Sequence, residues 1–138
     1  MKTFFDSSAF VKRYIEESGS QDVEALYMAA TELGVSVVCI PEVVSALNRR
    51  VRERDLSRRQ YETAKDNMFQ DARDAEIVNL TAEVISTCTA VLEASPVRVM
   101  DAIHVACAIQ WGAQLFVSAD ERQVSAAKKA GLRTRLVP

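Results

Sequence analysis

Four acidic side chains stand where chemistry could use them: Asp6, Glu42, Asp101 and Asp120. Asp6 ends the apolar run KTFF, and Asp101 lies near the start of VMDAIHVACAIQW, where a lone carboxylate would be costly. Glu42 follows Pro41, just past SVVCI, and Asp120 comes two residues after LFVS. Carboxylates that cluster repel one another, and without a cation some must take up protons. A divalent cation reverses that balance. Hard oxygen ligands, with no paired Cys or His, select magnesium or manganese. Such a site orients water, makes it more acidic and offsets charge on a phosphate being displaced, with either one ion or two. The competing reading is helix capping, since Asp favours helix N-termini. Capping alone accounts for Asp120 about as well as metal binding does, and for Asp6 and Asp101 least.

The elements that must position these acids follow from periodicity and punctuation. KTFF, residues 2–5, reads as a buried strand, and SSAFVKRYIEE as a helix with Ser7 or Ser8 able to cap it. A Ser-Gly-Ser turn leads to a second helix over about 21–33, closed by Gly34. SVVCI, residues 36–40, has strand character, and Pro41-Glu42 opens a helix to about residue 54. Ser57 caps a helix over about 58–70, EIVNL (76–80) is a strand, and Thr81 caps a helix over 82–94. An almost wholly apolar, buried helix spans 99–111 up to Gly112, and LFVS (115–118) is a strand. Asp120 opens a last helix ending at Gly131, and RTRLV (133–137) reads as an edge strand. Short apolar strands alternating with helices predict an α/β domain with a mainly parallel sheet. In such a sheet all strand C-terminal ends share one edge, which places the four acids on one rim.

The chain has 138 residues, 49% hydrophobic and 26% charged, which suits one domain over 1–138. No apolar run approaches the ~20 residues that span a bilayer, and MKTFFDSSAF does not read as a signal peptide, so no membrane role and a cytoplasmic location are expected. Cys39, Cys88 and Cys107 sit singly in apolar stretches, as small buried hydrophobes rather than disulfide or zinc residues. A net charge of −2 gives no general attraction to nucleic acid, so any such binding needs a local patch.

FFDSSAFVKRY, PEVVSALNRR, VMDAIHVACA and LFVSADERQVSAAKKAGL, taken in order, resemble the successive motifs of PIN-domain ribonucleases, most closely the VapC-type toxins of bacterial toxin–antitoxin pairs. The likeness covers essentially the whole chain. It implies a three-layer α/β/α domain with a five-stranded, mainly parallel sheet, and a magnesium-dependent endonuclease cutting RNA, with manganese as a substitute. Matched position by position, Asp6, Glu42, Asp101 and Asp120 are the acidic quartet. Ser8 matches a small hydroxyl residue after the first Asp, and Ser118 stands where the family often has Thr; both would orient carboxylates. Some relatives carry a further acid soon after the fourth, where this chain has only Asp120-Glu121. The toxin likeness also implies a homodimer, and a small antitoxin whose tail crosses the acidic cleft.

RRVRERDLSRR, residues 49–59, offers Arg49, Arg50 and Arg52 next to the Glu42 helix as a guide for RNA, with Lys12 and Arg13 as weaker candidates. A solvated helix face laced with ion pairs explains the same segment equally well. His104, three residues after Asp101 in an apolar helix, reads as a packed, hydrogen-bonded histidine in preference to a general base. Other readings are an RNA-processing PIN nuclease without an antitoxin, or a non-catalytic RNA-binding module. A receiver domain or aspartyl-phosphate phosphatase would need acids that Asp6-Ser7-Ser8 does not supply.

Overall fold

A computed structural model describes residues 1–138. The central strand β1 is Lys2–Phe5, followed by the short helix α1, Ser7–Phe10, which tightens into a 3-10 turn over Val11–Arg13. Helix α2 (Ser20–Ala29) leads to β2 (Glu32–Ser36), and α3 (Cys39–Arg52) to α4 (Arg58–Asp74) and β3 (Glu76–Val78). Helices α5 (Ala82–Ala94) and α6 (Val99–Trp111) precede β4 (Leu115–Ser118), α7 (Glu121–Lys129) and β5 (Thr134–Leu136).

All strand pairs are parallel, and the order is β3-β2-β1-β4-β5. The chain winds outward from β1 through β2 to β3, then returns to β4 on the other side of β1. Strand order therefore reverses at β1, where open α/β sheets leave a crevice beyond the strand ends. Alternation along β1 and β4 divides the core. Phe5 and Val117 face one layer with Phe10, Val43, Leu47 and Met68, while Phe4 and Phe116 face the other with Val84, Val105 and Ala127. One sheet between two helical layers results. No helix is long and apolar enough to cross a membrane.

Several expectations are corrected, among them the second helix, which ends at Ala29 rather than near residue 33. The second strand is ELGVS rather than SVVCI, and Gly34 lies inside it, paired with Phe4. Gly34 is needed for space, not for helix termination: a Cβ there would meet the Trp111 ring at 2.7 Å. With the strand ending at Ser36, α3 starts at Cys39 and Pro41 falls in its first turn, where its missing N–H costs nothing. The first helix is also much shorter than residues 7–17, and Asp6 caps it in place of a serine. Helix α4 runs four residues beyond the expected end, held at its start by a capping box in which Ser57 Oγ accepts from the Gln60 N–H at 3.1 Å.

Candidate active site

The register of the two central strands builds the site. Phe5 pairs with Val117, so the next residue on each strand, Asp6 and Ser118, meet at the C-terminal edge. Ser118 Oγ donates to Asp6 Oδ2 at 2.6 Å. Ser8 Oγ lies 2.8 Å from both carboxylate oxygens, and the Ala9 N–H donates to Oδ1 at 2.9 Å. The same serines accept from the loop after β4: Ala119 N–H to Ser8 Oγ, and Asp120 N–H to Ser118 Oγ. Asp6 is wholly buried, and burial raises its pKa despite the nearby His104 charge and these hydrogen bonds.

Glu42 reaches the rim from the first turn of α3. Burial pushes its carboxyl up, but His104, by hydrogen bond and charge, together with Ser7, outweighs this and holds it below the usual range. An ionised carboxylate only accepts, so the His104 Nε2–H donates to Glu42 Oε1, at 2.5 Å. Ser7 Oγ donates to the same oxygen at 2.9 Å, which leaves Oε2 without a protein partner. His104 is thus the packed, hydrogen-bonded residue its apolar helix suggested, but its partner is one of the four acids. Its Nδ1 has no partner.

Asp101 sits in the first turn of α6, one turn before His104. Its Oδ1 accepts from Gln123 Nε2 at 3.1 Å, and its Oδ2 lies 3.7 Å from the exposed Arg98 guanidinium. Asp120 caps α7, accepting from the Arg122 and Gln123 N–H groups at 2.9 and 3.3 Å. Capping and a rim position therefore coexist in Asp120, as they do in Asp6. Three of the four acids belong to one polar circuit: Ser118 ties Asp6 to the Asp120 loop, Asp120 caps Gln123, and Gln123 holds Asp101. Glu42, bonded to Ser7 and His104, adjoins the circuit only through the chain, by Ser7-Ser8 and by α6, and shares no hydrogen bond with it.

No three Asp, Glu, His or Cys side chains converge into a ready ligand cage. The donor chemistry still fits a hard cation. Every acid in the circuit offers oxygen, a cation would relieve the buried charge of Asp6, and Mg²⁺ keeps several waters while taking only one or two carboxylates directly. The polar atoms of Ser7, Ser8, Ser118, His104 and Gln123 do the orienting.

The basic candidates divide. Arg13 is spent on Asp71 and Glu24, with its guanidinium 3.5 Å over the Tyr27 ring, and Tyr14 donates to the same Asp71 at 2.7 Å. Lys12 and Arg50 both pair with Glu17. Arg13 braces α4 and Arg50 braces α3 against the segment before α2, where Lys12 also pairs, so the three do not form an open basic face. Arg49 and Arg52 are exposed and paired with no acid. A groove of about 520 Å³ runs beside Tyr14, Arg50, Leu56 and Arg59, away from the acids. Gln123 was not anticipated. Its signal was available, as a polar residue on the α7 face otherwise made of Val124, Ala126 and Ala127.

Comparison with known proteins agrees with this fold. The model of the PIN domain matches residues 3–129. The chain is 33% identical over 132 residues to Ribonuclease VapC45 of Mycobacterium tuberculosis, covering 94% of this chain and 92% of that one. Among solved structures, M. tuberculosis VapC20, a sarcin-ricin loop cleaving toxin, superposes with a TM-score of 0.71 at 17% identity, covering 99% of this chain and all of that one. VapBC2 from Rickettsia felis, bound to a DNA fragment from its promoter, gives 0.67 at 13% identity over the full length of both chains. At these identities the two structures speak for the fold alone. The matched family model and the 33% relative carry the assignment: this chain belongs to the PIN domain family.

Proposed function

We propose that the chain is a divalent-metal-dependent endoribonuclease whose acids Asp6, Glu42, Asp101 and Asp120 hold Mg²⁺, with Mn²⁺ as substitute, and that it acts as the toxin of a toxin–antitoxin pair. The observation that carries this reading is the polar circuit through Asp6, Asp120 and Asp101, acids from separate stretches of chain, with Glu42 held by Ser7 and His104 on the neighbouring positions of α1 and α6. When bound, the metal supplies a more acidic water and offsets charge on the phosphate under attack. The chain's own residues prepare for it. Ser8 and Ser118 fix Asp6, and Ser7 with His104 turns Glu42 so that Oε2 stays free.

The ribonuclease reading draws support from the 33% identical relative, named Ribonuclease VapC45, and the toxin role is suggested by it together with a fold that toxin–antitoxin complexes share. A small antitoxin covering the acidic rim, and a second copy forming a homodimer, belong to the same reading. Ile85 and Leu92, two turns apart on α5, leave apolar surface exposed for such contacts. The test is cleavage of single-stranded and structured RNA by the purified chain with Mg²⁺, Mn²⁺ or EDTA. Metal-dependent cutting by wild type, abolished in Asp101→Asn, is expected. Equal degradation by both proteins, or cutting that persists in EDTA, would rule the reading out.

A further inference from the structure

Gln123 stands in the first turn of α7, on the buried face that carries Val124, Ala126 and Ala127. It is 3% exposed, yet its amide makes a single side-chain hydrogen bond, from Nε2 to Asp101 Oδ1. Its Oε1 is buried and has no partner. An unsatisfied buried acceptor costs about 1–3 kcal/mol, which leucine or methionine of similar size would avoid. Packing therefore gives no reason for an amide here. Its one contact does, because no other buried group holds Asp101; Arg98 stands off at 3.7 Å on the open side. The backbone N–H of Gln123 meanwhile donates to Asp120. One residue thus grips Asp101 with its side chain and Asp120 with its backbone, joining the acids of α6 and α7.

We infer that Gln123 is a positioning residue for the metal site, aiming Asp101 through its amide and setting Asp101 against Asp120. The inference rests on the metal-dependent reading above. Groups that orient metal-binding carboxylates typically contribute about 10- to 100-fold in metal affinity.

The experiment measures Mn²⁺ affinity by electron paramagnetic resonance, and thermal unfolding in EDTA, for wild type, Gln123→Leu and Val124→Ala. Val124 is buried beside Gln123 on the same helix but has no polar atom to offer the acids. Gln123→Leu should bind Mn²⁺ about 10- to 100-fold more weakly with an unchanged or higher Tm, while Val124→Ala loses stability and keeps its affinity. The inference fails if Gln123→Leu stays within about threefold of wild type, or if Val124→Ala loses as much affinity. A wild type that binds no Mn²⁺ removes the metal reading and this inference with it. A wild type that binds, beside a Gln123→Leu that binds equally well, removes the inference alone.

Discussion

Replacing Asp6 with Asn should make the metal-free chain more stable while destroying its function. Asp6 is wholly buried, and burial raises its pKa against the pull of three hydrogen-bonding neighbours, so its charge is a net cost in the folded state. Burying one ion costs several kcal/mol after relaxation. The bonds from Ser8, Ser118 and Ala9 to the charged carboxylate recover much of this at ~1.5–3 kcal/mol each, and the raised pKa shows that a net cost is left. Asparagine keeps an acceptor for the Ala9 N–H, and the serine hydroxyls can turn to accept from its amide. The expected gain is about 1–3 kcal/mol, a rise of roughly 3–12 °C in Tm for a chain of this size. The pH dependence has a definite sign. A carboxyl whose folded pKa lies above its unfolded value, near 3.8, loses stability as pH rises between the two. The advantage of Asp6→Asn should therefore grow as pH rises above about 4 and shrink as pH falls toward it. Saturating Mn²⁺ should close the gap from the other side, since ligand at 100 times its Kd stabilises wild type by about 2.7 kcal/mol. Thermal and urea unfolding in EDTA, repeated with Mn²⁺, measure all of this. An Asp6→Asn chain less stable than wild type in EDTA at pH 7 would refute the reasoning.

His104→Leu removes the donor and charge that outweigh burial at Glu42, so the Glu42 carboxyl should titrate at higher pH, followed by carbon-detected NMR of the metal-free chain; no upward movement would contradict the assignment. Gly34→Ala should cost about 1–3 kcal/mol in urea unfolding, because its Cβ meets the Trp111 ring at 2.7 Å; a change under ~0.5 kcal/mol would mean the ring yields freely. Arg49→Ala with Arg52→Ala should weaken RNA binding and flatten its salt dependence, by about 0.7 in slope per lost phosphate contact, and leave Tm alone. Arg13→Ala should do the reverse, lowering Tm through the loss of Asp71, Glu24 and Tyr27 with the salt slope intact.

Much of this architecture is legible in local sequence, and the exceptions share a physical cause. KTFF and LFVS are continuous apolar runs, and buried parallel strands need such runs, so the placement of Asp6 and Asp120 after them could be read directly. Helices α5 and α6 are bounded by Thr81 and Gly112, whose cap chemistry is local. Sequence alone places β2 too late because Gly34 looks like a helix stop, whereas its size is set by Trp111, 77 positions away and on another element. Arg13 looks like a free cation until α4 supplies Asp71, 58 residues further on. The site shows the same division. Residue types marked the four acids, but the pairing of His104 with Glu42, and of Gln123 with Asp101, depends on how α3, α6 and α7 pack together.

The central claim, that acids from separate elements make one metal site, is tested most directly by titrating Mn²⁺ into the metal-free chain and counting bound ion by electron paramagnetic resonance. Wild type should bind at least one Mn²⁺ saturably, displaced by Mg²⁺, and Asp6→Asn and Asp101→Asn should each lose that binding while remaining folded. Saturable binding that survives in both variants, or none in wild type, would contradict it.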